Sequence, residues 1–438
     1  MDIKRLFILI LDFKMFTRQT ISKNALVFIA GEGLWGFNAA LVASSTVLAV
    51  LLKEFGAGNR MIGSIGALES GLTIIPQIFG MYLFHSMKHR KRNLIFWHLF
   101  AVIPFLFISG AIICLENHYS PVAARWGLLL SFACFMCSIG IILGVWMDWI
   151  AHIFETKTRG TLMGMTFFAA SLMGSIGGLV AGTIISRVEG HFAYAILYFI
   201  AGFSATVSLL TFFLVKDPAE NMDASAQNGI SIVDILASFR KSLLDSNFKS
   251  FLVCRILASL GFCIIPFIAI YFKSPDGGGL SNSAIVSCGA AMTFGAALSN
   301  LTLGRIGDMR GHRVGIIVGT LMQVVTLSII LIASGLTFCI ITYFCIGICI
   351  SSSFLSHTNM LLETCPHDHR LAHITVGNLV LSVPLVLSPF LAGVAAEHFG
   401  IRPVFMTCLV FSILAFIWCL LKVKEPRYVK ISDLKLHP

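Results

Sequence analysis

The chain has 438 residues, of which 57% are hydrophobic and only 12% are charged, and its formal net charge is +10. Soluble domains carry about 25% charged residues, and single soluble cores stop growing near ~300 residues. The composition therefore excludes a soluble globular protein and indicates a polytopic membrane protein. The basic residues lie in short links between apolar runs, which indicates topology determinants rather than a nucleic-acid-binding surface.

Twelve apolar segments have about the ~20 residues that a helix needs to cross ~30 Å of hydrocarbon. The predicted spans are 24–52, 61–84, 94–115, 127–150, 160–186, 192–215, 247–272, 281–303, 314–333, 337–360, 371–396 and 403–422. We therefore expect an all-α membrane protein with twelve transmembrane helices.

The distribution of Lys and Arg predicts the orientation. Links that we assign to the cytoplasm contain twenty-four of these residues, and the opposite links contain six. Because cytoplasmic loops carry the excess of positive charge, both termini are predicted to be cytoplasmic. The expected units are an N-terminal segment (1–23), a six-helix bundle (24–215), a linker with an interfacial helix (216–246), a second six-helix bundle (247–422) and a cytoplasmic tail (423–438).

A polar stretch from Gly304 to Arg313 separates two long apolar runs, and its glycines permit a tight reversal between antiparallel helices. Asp308 is its one acid, which predicts a partner such as a helix N-terminus or an arginine. The stretch resembles the signature loop of the major facilitator superfamily, G-x-L-A-D-R-x-G-R-K. The residues that fit this pattern are Gly304, Ile306, Gly307, Asp308, Gly311, His312 and Arg313, whereas Met309 departs from it.

The chain also repeats. His85 to Arg92 occupies in the first half the place of Met309 to Arg313 in the second, but Phe84 stands where Asp308 is expected. Asp148 and Arg159 have the same spacing as Asn359 and Arg370. This pattern predicts two parallel six-helix halves related by a pseudo-twofold axis along the membrane normal.

Ionisable residues inside the predicted spans are the strongest functional signal, because each costs at least ~2.5–3.5 kcal/mol at a helix centre unless it is paired or hydrated. Glu32 in helix 1 and Arg255 in helix 7 lie at similar depth. The resemblance places helices 1, 4, 7 and 10 around a central cavity. Two interpretations stay open: a site where Arg255 attracts a carboxylate or phosphate and Glu32 titrates, or a structural ion pair that never contacts substrate.

Other polar residues in the spans have similar alternatives. Glu69 is either a proton relay or a helix–helix hydrogen-bonding group. Asp148 and Arg159, at the cytoplasmic end of helix 4, favour a gating salt bridge over substrate contact, and Glu363 with Arg370 is the matching pair after helix 10. Further candidates for the solute site are Asn38, Trp35 and His357, of which the histidine is either titratable or a structural hydrogen-bonding residue.

Small residues and cysteines complete the pattern. Gly174, Gly178 and Gly182 recur at spacing four in helix 5 and predict a close helix-packing face. Cys134, Cys137, Cys345 and Cys349 have positions that would suit a soft metal, but cysteine as a small apolar residue is the favoured interpretation. We therefore expect no metal and no cofactor.

No nucleotide-binding, zinc-protease or nucleophile-elbow motif occurs, so we expect a non-enzymatic protein driven by an ion or solute gradient. The resemblance implies a secondary transporter of the cytoplasmic membrane that works by alternating access, with gating by Gly304, Asp308, Gly311 and Arg313. A small organic solute, anionic or zwitterionic, and protons in symport are the expected partners, together with membrane lipids, in a monomer that binds no nucleic acid. The alternatives are a solute sensor or scaffold that moves nothing, and an amphiphile exporter. A glycine-proline-glycine motif of drug exporters is absent from helix 5.

Overall fold

The computed structural model of the chain describes residues 22–84, 89–118, 120–154, 156–217, 245–364 and 370–427. The described residues form an all-α membrane protein, in which eleven helical segments are long and apolar enough to cross a membrane. The α-helices are α1 (Lys23–Leu41), α2 (Ala49–Glu54), α3 (Asn59–Ile74), α4 (Gln77–Leu83), α5 (Arg90–Trp97), α6 (Ile103–Cys114), α7 (Pro121–Ile153), α8 (Thr156–Arg187), α9 (Phe192–Phe212), α10 (Ser246–Phe262), α11 (Ile265–Lys273), α12 (Asn282–Arg310), α13 (Arg313–Ile332), α14 (Leu336–Thr364), α15 (Arg370–Phe399) and α16 (Ile401–Lys422). Most of the predicted N-terminal segment and interfacial linker, and the end of the tail, lie outside these residues.

The second predicted span, 61–84, is interrupted. Helix α3 ends at Ile74, and α4 begins at Gln77 after Pro76. Proline lacks a backbone N–H, and its ring clashes with the preceding turn, so it breaks a regular helix. Neither piece alone has the length of a span, and the described residues therefore contain eleven span-length segments where the sequence predicts twelve.

The link between α12 and α13 is shorter than the sequence pattern predicts. The ten residues from 304 to 313 were expected to form a polar link, but α12 continues through Arg310 and α13 begins at Arg313. The reversal is confined to Gly311 and His312, and Gly311 has a φ of 93°, which L side chains rarely adopt. Most of the predicted polar link is therefore helical, because its polar residues continue the helix beyond the apolar run.

We call the described residues within 22–217 the first half and those within 245–427 the second half. Each half has the same reciprocal hydrogen bonds between its beginning and its end. Asn24 Nδ2 donates to the Lys216 carbonyl at 2.7 Å, and the Lys216 N–H donates to Asn24 Oδ1 at 2.9 Å. Asn247 and Lys424 repeat this pair at 3.0 and 2.8 Å. These bonds join the first and last helices of each half at one end of the bundle, which we call the terminus side. The other end is the opposite side.

Among the described residues, two helix pairs form most of the contact between the halves, namely α3 with α15 and α8 with α12. The predicted glycine face of α8 lies in the second contact. A side chain on Gly174 would meet Thr293 Cγ2 at 3.1 Å, and one on Gly178 would meet the Ala290 backbone nitrogen at 2.8 Å. The absence of side chains thus allows α8 and α12 to approach closely, as the spacing of the glycines predicts.

Gly178→Val should destabilise the contact between the halves, because the added side chain would meet the backbone of α12. Overpacking of this kind costs about 1–3 kcal/mol, so the thermal midpoint in detergent should fall. Gly144→Val is the matched control, because a Cβ at Gly144 would meet nothing within 4 Å. Equal midpoints for the two variants would contradict this packing.

Candidate functional site

A cavity of about 670 Å³ lies between the two halves. Its size is within the ~300–1,000 Å³ that is typical of small-molecule sites. Six aromatic side chains from both halves line it: Trp35, Phe105, Phe132, Phe135, Tyr198 and Phe262. Besides Trp35, nine lining residues of the first half have oxygen or nitrogen atoms in their side chains. The second half contributes three such residues, namely Ser259, Thr293 and Ser388. The cavity is therefore mainly apolar, with its polar groups concentrated on one wall.

Among the described residues that line this cavity, Glu69 is the only acidic residue, and no lysine, arginine or histidine is present. The Ser44 hydroxyl donates to Glu69 Oε2 at 2.7 Å. Ser44 begins a π-helical turn (Ser44–Leu48), which follows the end of α1 at an extended Ala43. This break in the first span brings a hydroxyl to the carboxylate. Among the described residues, no second group donates a hydrogen bond to the Glu69 carboxylate.

Three predicted site residues thus meet on one wall, since Trp35 and Asn38 line the cavity together with Glu69. The Trp35 ring packs edge-on against His98, with 5.4 Å between the ring centroids. The predicted candidate His357 lies elsewhere. Its ring stacks on Phe251 at 5.6 Å, and its Nε2 lies 3.3 Å from Asn378 Oδ1.

Glu32 and Arg255 are not among the lining residues, and they do not form an ion pair with each other. Trp146 Nε1 donates to Glu32 Oε1 at 2.8 Å. Arg255 Nε is buried and has no hydrogen-bond partner among the described residues. Glu32 precedes the lining residue Trp35 by three positions, and Arg255 precedes Ser259 by four. Both therefore lie on the cavity-facing stripe of their helices, about one turn (~5.4 Å) closer to the terminus side.

On the opposite side, polar contacts join the two halves. The Lys273 ammonium contacts the Glu54 carboxylate and donates to Asn282 Oδ1 at 2.8 Å. The Arg60 N–H donates to Glu397 Oε2 at 3.3 Å, and nearby Asn59 Nδ2 donates to a backbone carbonyl of α15 at 3.1 Å. The sequence interpretation missed these residues, because it assigned no role to the few charged residues of the opposite links. Their concentration beside span ends was the available signal.

On the terminus side, the ion pairs between described side chains stay within one half. Asp148 Oδ2 lies 2.5 Å from Arg90 Nε, and Glu363 Oε1 lies 2.5 Å from Arg427 Nη2. The sequence predicted Arg159 for Asp148 and Arg370 for Glu363. The side chains of these two arginines are outside the described residues. Both predicted acids are therefore in ion pairs, with basic residues that the sequence interpretation did not consider as partners.

The N-terminus of α13 has an acid that the sequence interpretation missed. The Arg313 N–H donates to Glu425 Oε2 at 2.9 Å, and Arg313 Nη2 donates to the Leu420 carbonyl at 2.9 Å. Gly311, which has no side chain, leaves room for the Glu425 carboxylate. The sequence predicts for Asp308 a partner such as a helix N-terminus or an arginine, and the side chain of Asp308 is outside the described residues. The signal for Glu425 was a single acid among the basic residues directly after the last span.

Burial raises the pKa of the Glu425 carboxyl above its ordinary value of 4.5. The folded protein therefore binds this proton more readily than the unfolded chain does, and the contribution of Glu425 to stability decreases as the pH rises above that ordinary value. The thermal midpoint of the wild type minus that of Glu425→Gln should thus decrease between about pH 5 and about pH 8. A difference that stays constant or increases would contradict the raised pKa.

Comparison with known proteins identifies the fold. A sequence model of the Major Facilitator Superfamily matches residues 251–436. No curated protein sequence matches the chain. A solved structure of a point mutant of the nucleoside transporter NupG has a TM-score of 0.68 and 12% identity, over 92% of this chain and 100% of that chain. The structure of a POT family transporter in complex with a thioalcohol-conjugated peptide has a TM-score of 0.64 and 10% sequence identity, and the match covers 94% of this chain and 96% of that chain. A third structure is that of a bacterial homolog of the human lysosomal transporter Spinster in an inward-facing and unoccupied conformation. It has a TM-score of 0.60 and 14% sequence identity, and the match covers 92% of this chain and 98% of that chain. At these identities the similarity shows a shared fold.

Proposed function

We propose that the chain is a member of the major facilitator superfamily, whose sequence model matches residues 251–436, and that it is a secondary transporter that moves a small organic solute across the cytoplasmic membrane by alternating access. The cavity of about 670 Å³ between the two halves carries this proposal. We count α3 and α4 as one interrupted span, which gives twelve spans in two six-helix halves. The terminus side is the cytoplasmic side, because the predicted cytoplasmic links hold most of the basic residues.

The structure corresponds, in this proposal, to an inward-facing state. Contacts of Lys273 with Glu54 and of Arg60 with Glu397 join the halves on the opposite side. The ion pairs between described side chains on the terminus side stay within one half. A similar fold belongs to a Spinster homolog in an inward-facing conformation. In the outward-facing state, the predicted gating residues would close the cytoplasmic side: Gly304, Asp308, Gly311, Arg313, Asp148, Arg159, Glu363 and Arg370.

Glu32 and Arg255 have a revised role in this proposal. The sequence interpretation used Arg255 to predict an anionic solute, but Arg255 and Glu32 lie one turn beyond the cavity wall. We therefore assign them to the passage between the cavity and the cytoplasm. The Glu32 carboxylate accepts one hydrogen bond, from Trp146, and has no cationic partner among the described residues. A carboxylate in an apolar span without a counterion is neutralised by proton uptake, so Glu32 is the residue that we propose for proton coupling.

Lys273→Met should weaken the closure of the opposite side, because it removes the charge that contacts Glu54 in the other half. Hydrogen exchange of the segments 55–60 and 274–281, measured by mass spectrometry, should become faster as outward-open molecules accumulate. Lys53→Met is the matched control. Its ammonium donates to the Ala57 carbonyl of the same half at 3.3 Å, so its removal leaves the cross-half contact in place. The gate assignment is wrong if both variants exchange alike.

Transport itself should be measurable in proteoliposomes incubated in a metabolite extract with an acidic exterior. Vesicles that contain the protein should retain a solute that protein-free vesicles lose, with mass spectrometry as the readout. Glu32→Gln should abolish the dependence of retention on the pH gradient, whereas Asp276→Asn, an exposed charge loss on the opposite side, should preserve it. Retention without any dependence on the pH gradient would refute proton coupling. No retained solute at all would instead favour a sensor that moves nothing.

A further inference from the structure

We propose that the transported solute is an organic cation with an aromatic or similarly apolar body, and that its positive charge binds at Glu69. This inference rests on the proposed function, because it takes the cavity between the halves as the transport site. It goes further in assigning the sign of the solute's charge and the residue that recognises it.

The charge of the cavity wall selects a cation. Glu69 accepts one hydrogen bond from Ser44, and no described Lys, Arg or His lines the cavity with it. Arg255, the intramembrane arginine of α10, is not among the lining residues and lies about one helical turn from the lining residue Ser259, toward the terminus side. A carboxylate in an apolar cavity is costly unless an opposite charge or a proton compensates it. A cationic solute supplies that opposite charge, whereas an anion would be repelled.

The aromatic lining selects the body of the solute. Trp35 of the first half and Phe262 of the second half line the same cavity as Glu69, together with Phe105, Phe132 and Phe135. Aromatic faces attract cations by about 0.5–2 kcal/mol, more when water is excluded, and they also bury apolar surface. Ser388 lines the cavity on the wall of the second half, and its buried hydroxyl has no hydrogen-bond partner among the described residues. It can accept a hydrogen bond from an N–H group of the solute. A small, strongly hydrated inorganic cation would leave the aromatic surface unused.

Two ions of nearly the same shape and opposite charge test the inference, namely tetraphenylphosphonium and tetraphenylborate. Equilibrium dialysis of the purified full-length protein in detergent, corrected with protein-free micelles, gives the affinity for each ion. The wild type should bind the phosphonium roughly tenfold or more tightly than the borate, a difference of about 1.4 kcal/mol or more. Equal affinities, or a preference for the borate as expected of a site dominated by Arg255, would overturn the proposal.

Variants at one position then locate the charge. Glu69→Gln should weaken phosphonium binding roughly tenfold or more, whereas Glu69→Asp, which keeps the charge on a shorter side chain, should lose less. Asp276→Asn, which removes an exposed acid that does not line the cavity, is the matched control and should bind as the wild type does. Unchanged phosphonium binding in Glu69→Gln would overturn the assignment.

Chemical labelling of Glu69 in the wild type provides a test that does not depend on the folding of a variant. Dicyclohexylcarbodiimide reacts with carboxyl groups in apolar surroundings, and mass spectrometry reports its adduct on Glu69. The phosphonium should slow formation of this adduct and the borate should not, and protection by neither ion overturns the proposal.

These assays separate the inference from the proposed function, because binding in detergent needs no transport. Selective, Glu69-dependent binding of the phosphonium without movement in proteoliposomes would support the cation site and contradict transport. If the protein transports an anion, and Glu69→Gln transports it equally well, the result would support transport and contradict the cation site.

Discussion

The cavity depends on the close contacts between the two halves on the opposite side. Glycines on α8 and α3 let the backbones of α12 and α15 approach where side chains would otherwise hold them apart. Without water to drive association of apolar helices, such close van der Waals packing is a main source of attraction within a membrane. The contacts of Lys273 and Arg60 with acids of the facing half close the same end. The remaining space lies between the bundles, where the polar side chains of α1 and α3 are kept.

Those polar side chains are costly in hydrocarbon, and their surroundings decide which of them are structural. Asp148 and Glu363 have arginine partners at the membrane surface, so their charges are compensated within the protein. Glu69 has a hydroxyl partner and Glu32 an indole partner, and neither has a basic partner among the described residues. A single neutral hydrogen bond does not offset the removal of a carboxylate from water. In our proposals an ion from outside the chain therefore compensates the second pair of acids, which is the physical basis for regarding them as functional.

The sequence predicted the features that follow from periodicity and composition, and it missed those that need distant residues to meet. Hydropathy predicted nearly all spans, and glycine spacing predicted the packing face of α8. The reciprocal bonds of Asn24 with Lys216 were invisible, because the two residues are 192 positions apart and neither has an unusual neighbour. The contact of Glu425 with the start of α13 was likewise missed, because Glu425 reaches it from beyond the last helix. Glu69 was found, since a carboxylate in an apolar run is conspicuous, but its position on the cavity wall required the fold.

The two halves share their terminal hydrogen bonds, yet they differ in what they contribute to the cavity. The first half contributes Glu69 and most of the lining groups that can hydrogen-bond, and the second contributes mainly apolar wall. In the proposed transport cycle, a solute with a charged group would therefore keep most of its directional contacts with one half. The other half, which contacts it mainly through non-directional apolar surface, can slide past with little loss of binding free energy. Exchange between inward- and outward-facing states requires that neither state bind the solute much more tightly than the other. For the proposed transport cycle, a polar wall on one half and a mainly apolar wall on the other meets that requirement, because most of the bonds that hold the solute are not the contacts that change.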